Sequence, residues 1–401
     1  MSSRRDFLRL VGGSAVAAGA GACGPKRAAN MSPSAAPAAA VHGTGLVRIG
    51  SNENGSGPGP AALEAIRAGV SEANRYPFST IGELVASIAA SLKVDSSQIL
   101  LGSGSGELLD ASVTAFTSAE RSVLTASPSF EMPAMRAQAL ERPVVSVRVD
   151  KVGRLDLDAM LAASSPAGLV YLCNPNNPTS TVHAGADVEA FIAGLHKRVP
   201  EAVVLVDEAY HEYVELAGYH SVVPLAVNDP RVIVTRTFSK IHGIAGLRVG
   251  YAVGVPKTLA RLRQWVDGLN MNTMGVTAAH ASLGDTAHVA QQRQLNHDTR
   301  ARLVDALAKA GHQAFESNAN FVMVHVGRDP RSFAAACLAK GVQVARPFPP
   351  LMEHARITVG TSQEMDRATR VFLDVLAQPP GPVTTGGPVT AWTRDDGRRA
   401  C

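Results

Sequence analysis

Cysteine is scarce in this chain, with four among 401 residues, at Cys23, Cys173, Cys337 and Cys401. Thiols so few and so widely spaced exclude a disulfide framework and a cysteine-rich metal site. Charge is thin too: charged residues make up 18%, and the net charge of +4 comes without a lysine- or arginine-rich block. That removes the electrostatic footprint of a nucleic-acid binder. Long apolar runs are missing: the stretch Leu10 to Ala22 is too short to cross a bilayer. What remains is a 46% hydrophobic, ordinary globular composition, long enough for two or three domains of about 150 residues each.

The amino-terminal stretch stands apart. Ser3-Arg4-Arg5-Asp6-Phe7-Leu8-Arg9 reads as a twin-arginine export signal, and the apolar run behind it has the small-residue tail of a cleaved signal peptide. Ala20-Gly21-Ala22-Cys23 resembles a lipoprotein cleavage box, with Ala20 where leucine is usual. The expectation is export by the twin-arginine route to the periplasm, or attachment to a membrane through a lipidated Cys23. A basic amphipathic helix is the competing reading. Residues 24–41 form a tether rich in Ala, Pro and Ser, and 378–401 a second low-complexity tail, both expected to be disordered.

Between them, Ser51 to Gly55 opens the ordered part as an irregular polar arm. Apolar spacing then predicts a helix through Ala62, Leu63, Ile66 and Val70 that stops before Pro77, and another over Gly82–Leu92. Short apolar runs follow, among them Gln98–Leu101, Ser122–Thr125, Val144–Val147, Gly168–Leu172, Val203–Val206, Val232–Val234 and Gly250–Val253. Several are apolar throughout, which suits strands covered on both faces, and the segments between them have helical periodicity. These features predict an α/β fold: a mainly parallel sheet flanked by helices. From about Trp265 the pattern reads as a long helix. A smaller mixed unit follows, with helices over His297–Ala310, Pro330–Ala339 and Gln363–Leu376 and strands near Phe321, Gln343 and Arg356.

In such sheets ligands lie beyond the carboxyl ends of the strands, and the polar exceptions of this sequence fall there. Gly102-Ser103-Gly104-Ser105-Gly106 leads from a strand into a helix whose first N–H groups are free for an anion. Phe130 follows a Pro128 turn and is either a ring for stacking or a core aromatic. Asn177 projects from Asn174-Pro175-Asn176-Asn177-Pro178-Thr179, either as an amide donor or as part of a turn. Asp207, with Tyr210 three residues on, ends an apolar strand, and a buried carboxylate requires a partner. Thr237-Phe238-Ser239-Lys240 places an amine in a segment otherwise built for burial. A desolvated ammonium loses its proton readily, and the free amine can attack a carbonyl. Arg248 offers a fork suited to phosphate and Ser239 a hydroxyl, so the stretch describes an aldehyde with a phosphate handle: pyridoxal 5′-phosphate. Arg356, at a strand start, could clamp a carboxylate or form a surface ion pair.

Taken in order, Asn52-Glu53-Asn54, Arg75-Tyr76-Pro77, the 102–107 loop, Pro128-Ser129-Phe130, Asn177-Pro178-Thr179, Asp207-Glu208-Ala209-Tyr210, Thr237–Lys240, Ala245–Arg248 and Arg356–Gly360 resemble the fold-type I aminotransferases of class I/II. The likeness is greatest to the histidinol-phosphate aminotransferase branch and covers about Ser51 to Leu376. It implies a large cofactor domain with a seven-stranded sheet, over 76–270, and a small α+β domain over 271–377. Residues 42–75 would form the arm and part of the small domain.

By the same resemblance Lys240 carries the cofactor. Ser105, Gly106, Ser239 and Arg248 hold its phosphate, with Tyr76 donated by the second subunit of a homodimer. Phe130 stacks on the ring, Asn177 and Tyr210 contact its phenolic oxygen, and Asp207 its nitrogen. Arg356 takes the substrate carboxylate, and Asn54, Arg346 and Arg136 are candidates for the rest of the substrate. No metal is implied. Gly55-Ser56 replaces the family's proline, Phe130 its tyrosine, and Ser180 its glycine. The expected reaction moves an amino group between an amino acid or amino-acid-like amine, of histidinol-phosphate or aromatic type, and a 2-oxo acid. A decarboxylase, racemase or cyclase would use the same residues, and a cofactor-binding regulator would need a DNA-binding module that no segment supplies.

Overall fold

The computed structural model describes residues 45–379. The expected export signal with Arg4 and Arg5, the cleavage box at Cys23, the tether and nearly all of the tail lie outside the described residues.

Eleven strands are described: β1 (Val47–Ile49), β2 (Ile99–Gly102), β3 (Ser122–Ser127), β4 (Val144–Arg148), β5 (Ala167–Cys173), β6 (Val203–Asp207), β7 (Val232–Thr237), β8 (Gly250–Val253), β9 (Phe321–His325), β10 (Val342–Val344) and β11 (His354–Thr358). The α-helices, numbered along the chain, are α1 (Pro60–Gly69), α2 (Phe78–Leu92), α3 (Ser105–Phe116), α4 (Met132–Ala139), α5 (Leu157–Ala162), α6 (Gly185–Arg198), α7 (Val223–Ala226), α8 (Pro256–Arg263), α9 (Thr273–Gly284), α10 (Thr286–Lys309), α11 (Pro330–Ala339) and α12 (Ser362–Ala377).

Seven strands form one sheet in the order β2-β8-β7-β6-β5-β3-β4, and only β8 runs against its neighbours. The apolar runs are explained by burial on both faces. Val170, Leu172, Val204 and Val206 point into one core, while Leu169, Tyr171, Val203 and Leu205 point into the other. Because β5, β6 and β7 are parallel and in register, Cys173 stands beside Asp207 and Asp207 beside Thr235. The loops carrying Asn177 and Lys240 therefore leave the sheet at one edge. A third core joins β1, β9, β10 and β11 to α10, α11 and α12.

Three sequence expectations change here. β1, in a stretch for which no strand was read from the sequence, pairs in parallel with β10, so an amino-terminal strand completes a carboxy-terminal sheet. The long helix from Trp265 is two helices that start later. Trp265 sits in the turn after α8, 54% exposed, and the side chains of Asn272 and Asp285 cap α9 and α10. Lastly, α10 begins eleven residues before His297. Its buried stripe includes His288, Gln292, Asn296, Thr299 and Arg300, so its first turns carry no apolar periodicity to read.

Phe372 on α12 is fully buried and packs against Phe333, ring centroids 5.7 Å apart. Phe372→Ala should lower stability by about 3–5 kcal/mol through lost transfer energy and a cavity. The nearby but 52% exposed Leu338, changed to Ala, should shift it by less than about 0.5 kcal/mol. Urea unfolding curves measure both.

Candidate active site

Asp207 closes β6 in the interior. Its carboxylate accepts from Tyr171 Oη at 2.9 Å and Thr235 Oγ1 at 3.2 Å, both on flanking strands. Burial drives its pKa up to about 6, against the pull of these hydroxyls and the Ala209 N–H. Among the described residues no cationic side chain hydrogen-bonds to it. The neighbouring Glu208 has the opposite fate. Burial alone would raise its pKa, but Arg236, 2.8 Å away, holds it below the ordinary carboxylate value.

Lys240 follows β7 across the same edge. Its Nζ donates to Asn52 O at 3.2 Å and lies 5.6 Å from the centre of the Tyr210 ring. Burial, then the charge of Arg356, lowers its pKa to about 8, and Asp207 acts on it in the other direction. Asn52 is the hub of this corner. Its Nδ2 donates to Tyr210 Oη at 3.1 Å, its N–H to Thr358 Oγ1 at 2.9 Å, and its carbonyl also accepts from Asn320 Nδ2 at 3.2 Å. The arm thereby joins the lysine loop to β11 and to the turn before β9.

The anion cradle lies at the start of α3. Gly104 caps the helix at φ +76°, a conformation that favours glycine, and a Cβ there would stand 2.2 Å from an Arg248 nitrogen. A Cβ on Gly250 would stand 2.3 Å from the Ser105 N. Gly104 thus lets the start of α3 approach Arg248, and Gly250 lets the same turn, at Ser105, approach β8. That turn supplies N–H groups without intrahelical partners and the positive end of the helix dipole. Arg248 donates to Ser239 Oγ at 3.4 Å and Ala245 O at 3.0 Å, and among the described residues it forms no ion pair.

Arg356 is buried opposite Tyr210. It donates to Asn177 Oδ1 at 2.6 Å and to Gly50 O at 2.8 Å, while its Nε has no partner among the described residues. Phe348 stacks against the Arg356 guanidinium at 4.6 Å and against that of Arg346 at 4.4 Å. Phe130 is partly buried on the sheet core. Its turn is fastened to the Asn177 turn by Ser129 Oγ donating to Asn176 Oδ1 at 2.8 Å and Asn176 Nδ2 donating to Pro128 O at 3.1 Å.

Tyr76, expected to act across a dimer interface, is 69% exposed, its ring stacked on Phe78. Two other expected residues are engaged within the chain. Arg136 bonds Thr114 Oγ1 at 3.3 Å and faces a cavity of about 340 Å³ with Ser103, Glu107 and Trp265. Asn54 spends its amide nitrogen on Ile241 O at 3.0 Å, tying the arm to the lysine loop. Sequence reading passed over Tyr171, Thr235, Asn320 and Phe348. The single phenol inside an apolar strand was the one available signal for Tyr171.

Three demands remain open in this cluster: a cation for Asp207, an anion for Arg248 and the start of α3, and a carbonyl for the Lys240 amine. A phosphorylated pyridine aldehyde meets all three, so the residues present fit the group. Comparison with known proteins agrees. Residues 44–372 match the family "Aminotransferase class I and II", and the chain belongs to it. More particularly, the chain is a pyridoxal-phosphate-dependent aminotransferase, similar to histidinol-phosphate aminotransferases. That of Cupriavidus pinatubonensis is 37% identical over 327 residues, covering 80% of this chain and 85% of the relative. An aromatic amino acid aminotransferase of Nocardia farcinica is 36% identical over 82% of this chain and 92% of its own length. The histidinol-phosphate aminotransferase of Sinorhizobium meliloti, solved in complex with pyridoxal 5′-phosphate, superposes with a TM-score of 0.77. It is 29% identical, over 82% of this chain and 90% of that one.

Only an unprotonated amine attacks an aldehyde. Uptake of pyridoxal phosphate by the cofactor-free protein should therefore quicken as pH rises through about 8, the pKa of Lys240, and level off above it. Stopped-flow absorbance checks this, and a flat profile between about pH 6.5 and 9.5 would contradict it.

Proposed function

We propose that this aminotransferase takes its amino group from a donor of aromatic or histidinol-phosphate type and passes it to a 2-oxo acid, with the site residues in the following roles. The observation that carries the reading is that Asp207, at the end of β6, and Lys240, on the loop after β7, leave adjacent parallel strands at one edge of the sheet, with Ser239 and Arg248 hydrogen-bonded beside the lysine. Bound pyridoxal phosphate supplies an electron sink for the carbanion at the donor Cα. Asp207 keeps the ring nitrogen positively charged, Asn177 and Tyr210 hold the phenolic oxygen, and Phe130 covers one ring face. Ser105, Gly106, Ser239 and Arg248 hold the phosphate. Arg356 binds the α-carboxylate of an amino-acid donor, or the phosphate that stands in its place in a donor of histidinol-phosphate type, through its unpartnered Nε, fixing the Cα–H bond as the one to break. Lys240 Nζ removes the Cα proton and, in the second half of the cycle, delivers one to the Cα of the incoming 2-oxo acid.

The working form is proposed to be a homodimer in which Tyr76 reaches the partner's phosphate site, a role its exposure leaves open to it. Export by the twin-arginine route, to the periplasm or to a membrane through a lipidated Cys23, rests on sequence outside the described residues. Keto-acid formation that requires a 2-oxo acid acceptor separates this reading from a decarboxylase, racemase or cyclase.

Charges about 3 Å apart at an effective dielectric near 20 interact by roughly 5 kcal/mol before desolvation is subtracted. Asp207→Ala should therefore lower kcat by about a thousandfold or more. Lys240→Ala should abolish turnover and the covalent attachment of the cofactor. Steady-state kinetics and mass spectrometry after borohydride reduction read these effects. Turnover retained by the lysine variant would sink the assignment.

A further inference from the structure

One pair of charges at this site has no role in the reaction described above. Glu131 directly follows Phe130 and precedes α4, and its carboxylate makes no capping bond to that helix. It accepts instead from Arg346 Nη2, 215 residues away in sequence. Arg346 lies on Phe348 at 4.4 Å, and the same ring lies on Arg356 at 4.6 Å. A donor held by its carboxylate on Arg356 that extends past Phe348 therefore meets Arg346 with its charge already matched by Glu131.

We propose that Glu131 is a specificity-determining residue: by holding Arg346 in an ion pair beside Phe348, it turns the distal part of the substrate site against anionic side chains and toward uncharged aromatic ones. This deepens the donor assignment above and rests on the transaminase reading. A distal carboxylate can reach Arg346 only by displacing Glu131, and it then lies close to a like charge. An arginine freed of that partner is a bidentate anion site. An aromatic side chain needs neither change, since Phe348 offers it a ring. The pair sits on the rim, with side chains 36% and 48% exposed for Arg346 and Glu131, so removing one partner strands no buried charge.

The test compares kcat/KM of the holoenzyme for L-phenylalanine and L-tyrosine with that for L-glutamate and L-aspartate, using one acceptor throughout. Wild type should favour the aromatic donors by about tenfold or more. Glu131→Gln should move the ratio of anionic to aromatic kcat/KM about tenfold toward the anionic donors. Adding Arg346→Gln should cancel that movement, which a merely structural role for Glu131 would not produce. The proposal is overturned by a wild-type preference for the distal anion, by an unmoved ratio in Glu131→Gln, or by a shift that survives in the double variant. Absence of keto-acid product from every donor would instead overturn the transaminase reading, and this proposal with it.

Discussion

The structure depends on a carboxylate placed where water cannot reach it. Asp207 is 3% exposed and, among the described residues, is held only by neutral donors, Tyr171 Oη, Thr235 Oγ1 and a backbone N–H. Such a group is expensive to keep charged unless a cation arrives. The described residues provide one next door for Glu208, in the form of Arg236, but none hydrogen-bonded to Asp207. Two adjacent acids on one strand end thus take opposite roles, one sealed into the framework and one left waiting for a ligand.

Around that carboxylate the site gathers positive charge. Lys240, Arg248 and Arg356 face the same corner, and Arg356 helps to lower the pKa of Lys240. The accumulation is tolerable because each cation leans on neutral acceptors: Asn52 O for Lys240, Ala245 O and Ser239 Oγ for Arg248, Asn177 Oδ1 and Gly50 O for Arg356. Asn52 carries much of this arrangement. Through it the arm, the lysine loop and β11 are one hydrogen-bonded unit, so the substrate-side arginine and the reactive amine are positioned by the same residue.

Much of the site was legible in the sequence because its residues interrupt patterns. Asp207 ends an apolar run, Lys240 stands in a buried loop, and Gly104 sits between a strand and a helix. Each is visible against a local background of known periodicity. Residues that obey their background were hidden. Tyr171 lies inside an apolar strand, and the polar stripe of α10 erased the helix's own signal. Asn54 was legible as part of a motif but not in its function, because whether an amide meets a substrate or Ile241 O depends on how the arm folds back.

By itself the sequence determined the α/β class, the mainly parallel sheet and the identity of the charged groups at its carboxyl edge. Hydrophobic periodicity and chain breaks are local properties, and local properties survive in a linear string. Tertiary structure alone decided which distant pieces meet. β1 pairs with β10, Arg356 shares a hydrogen bond with Asn177, and Glu131 holds Arg346. These pairings close loops of a hundred residues or more, and their partners are selected by the packing of the whole chain rather than by anything beside them in sequence.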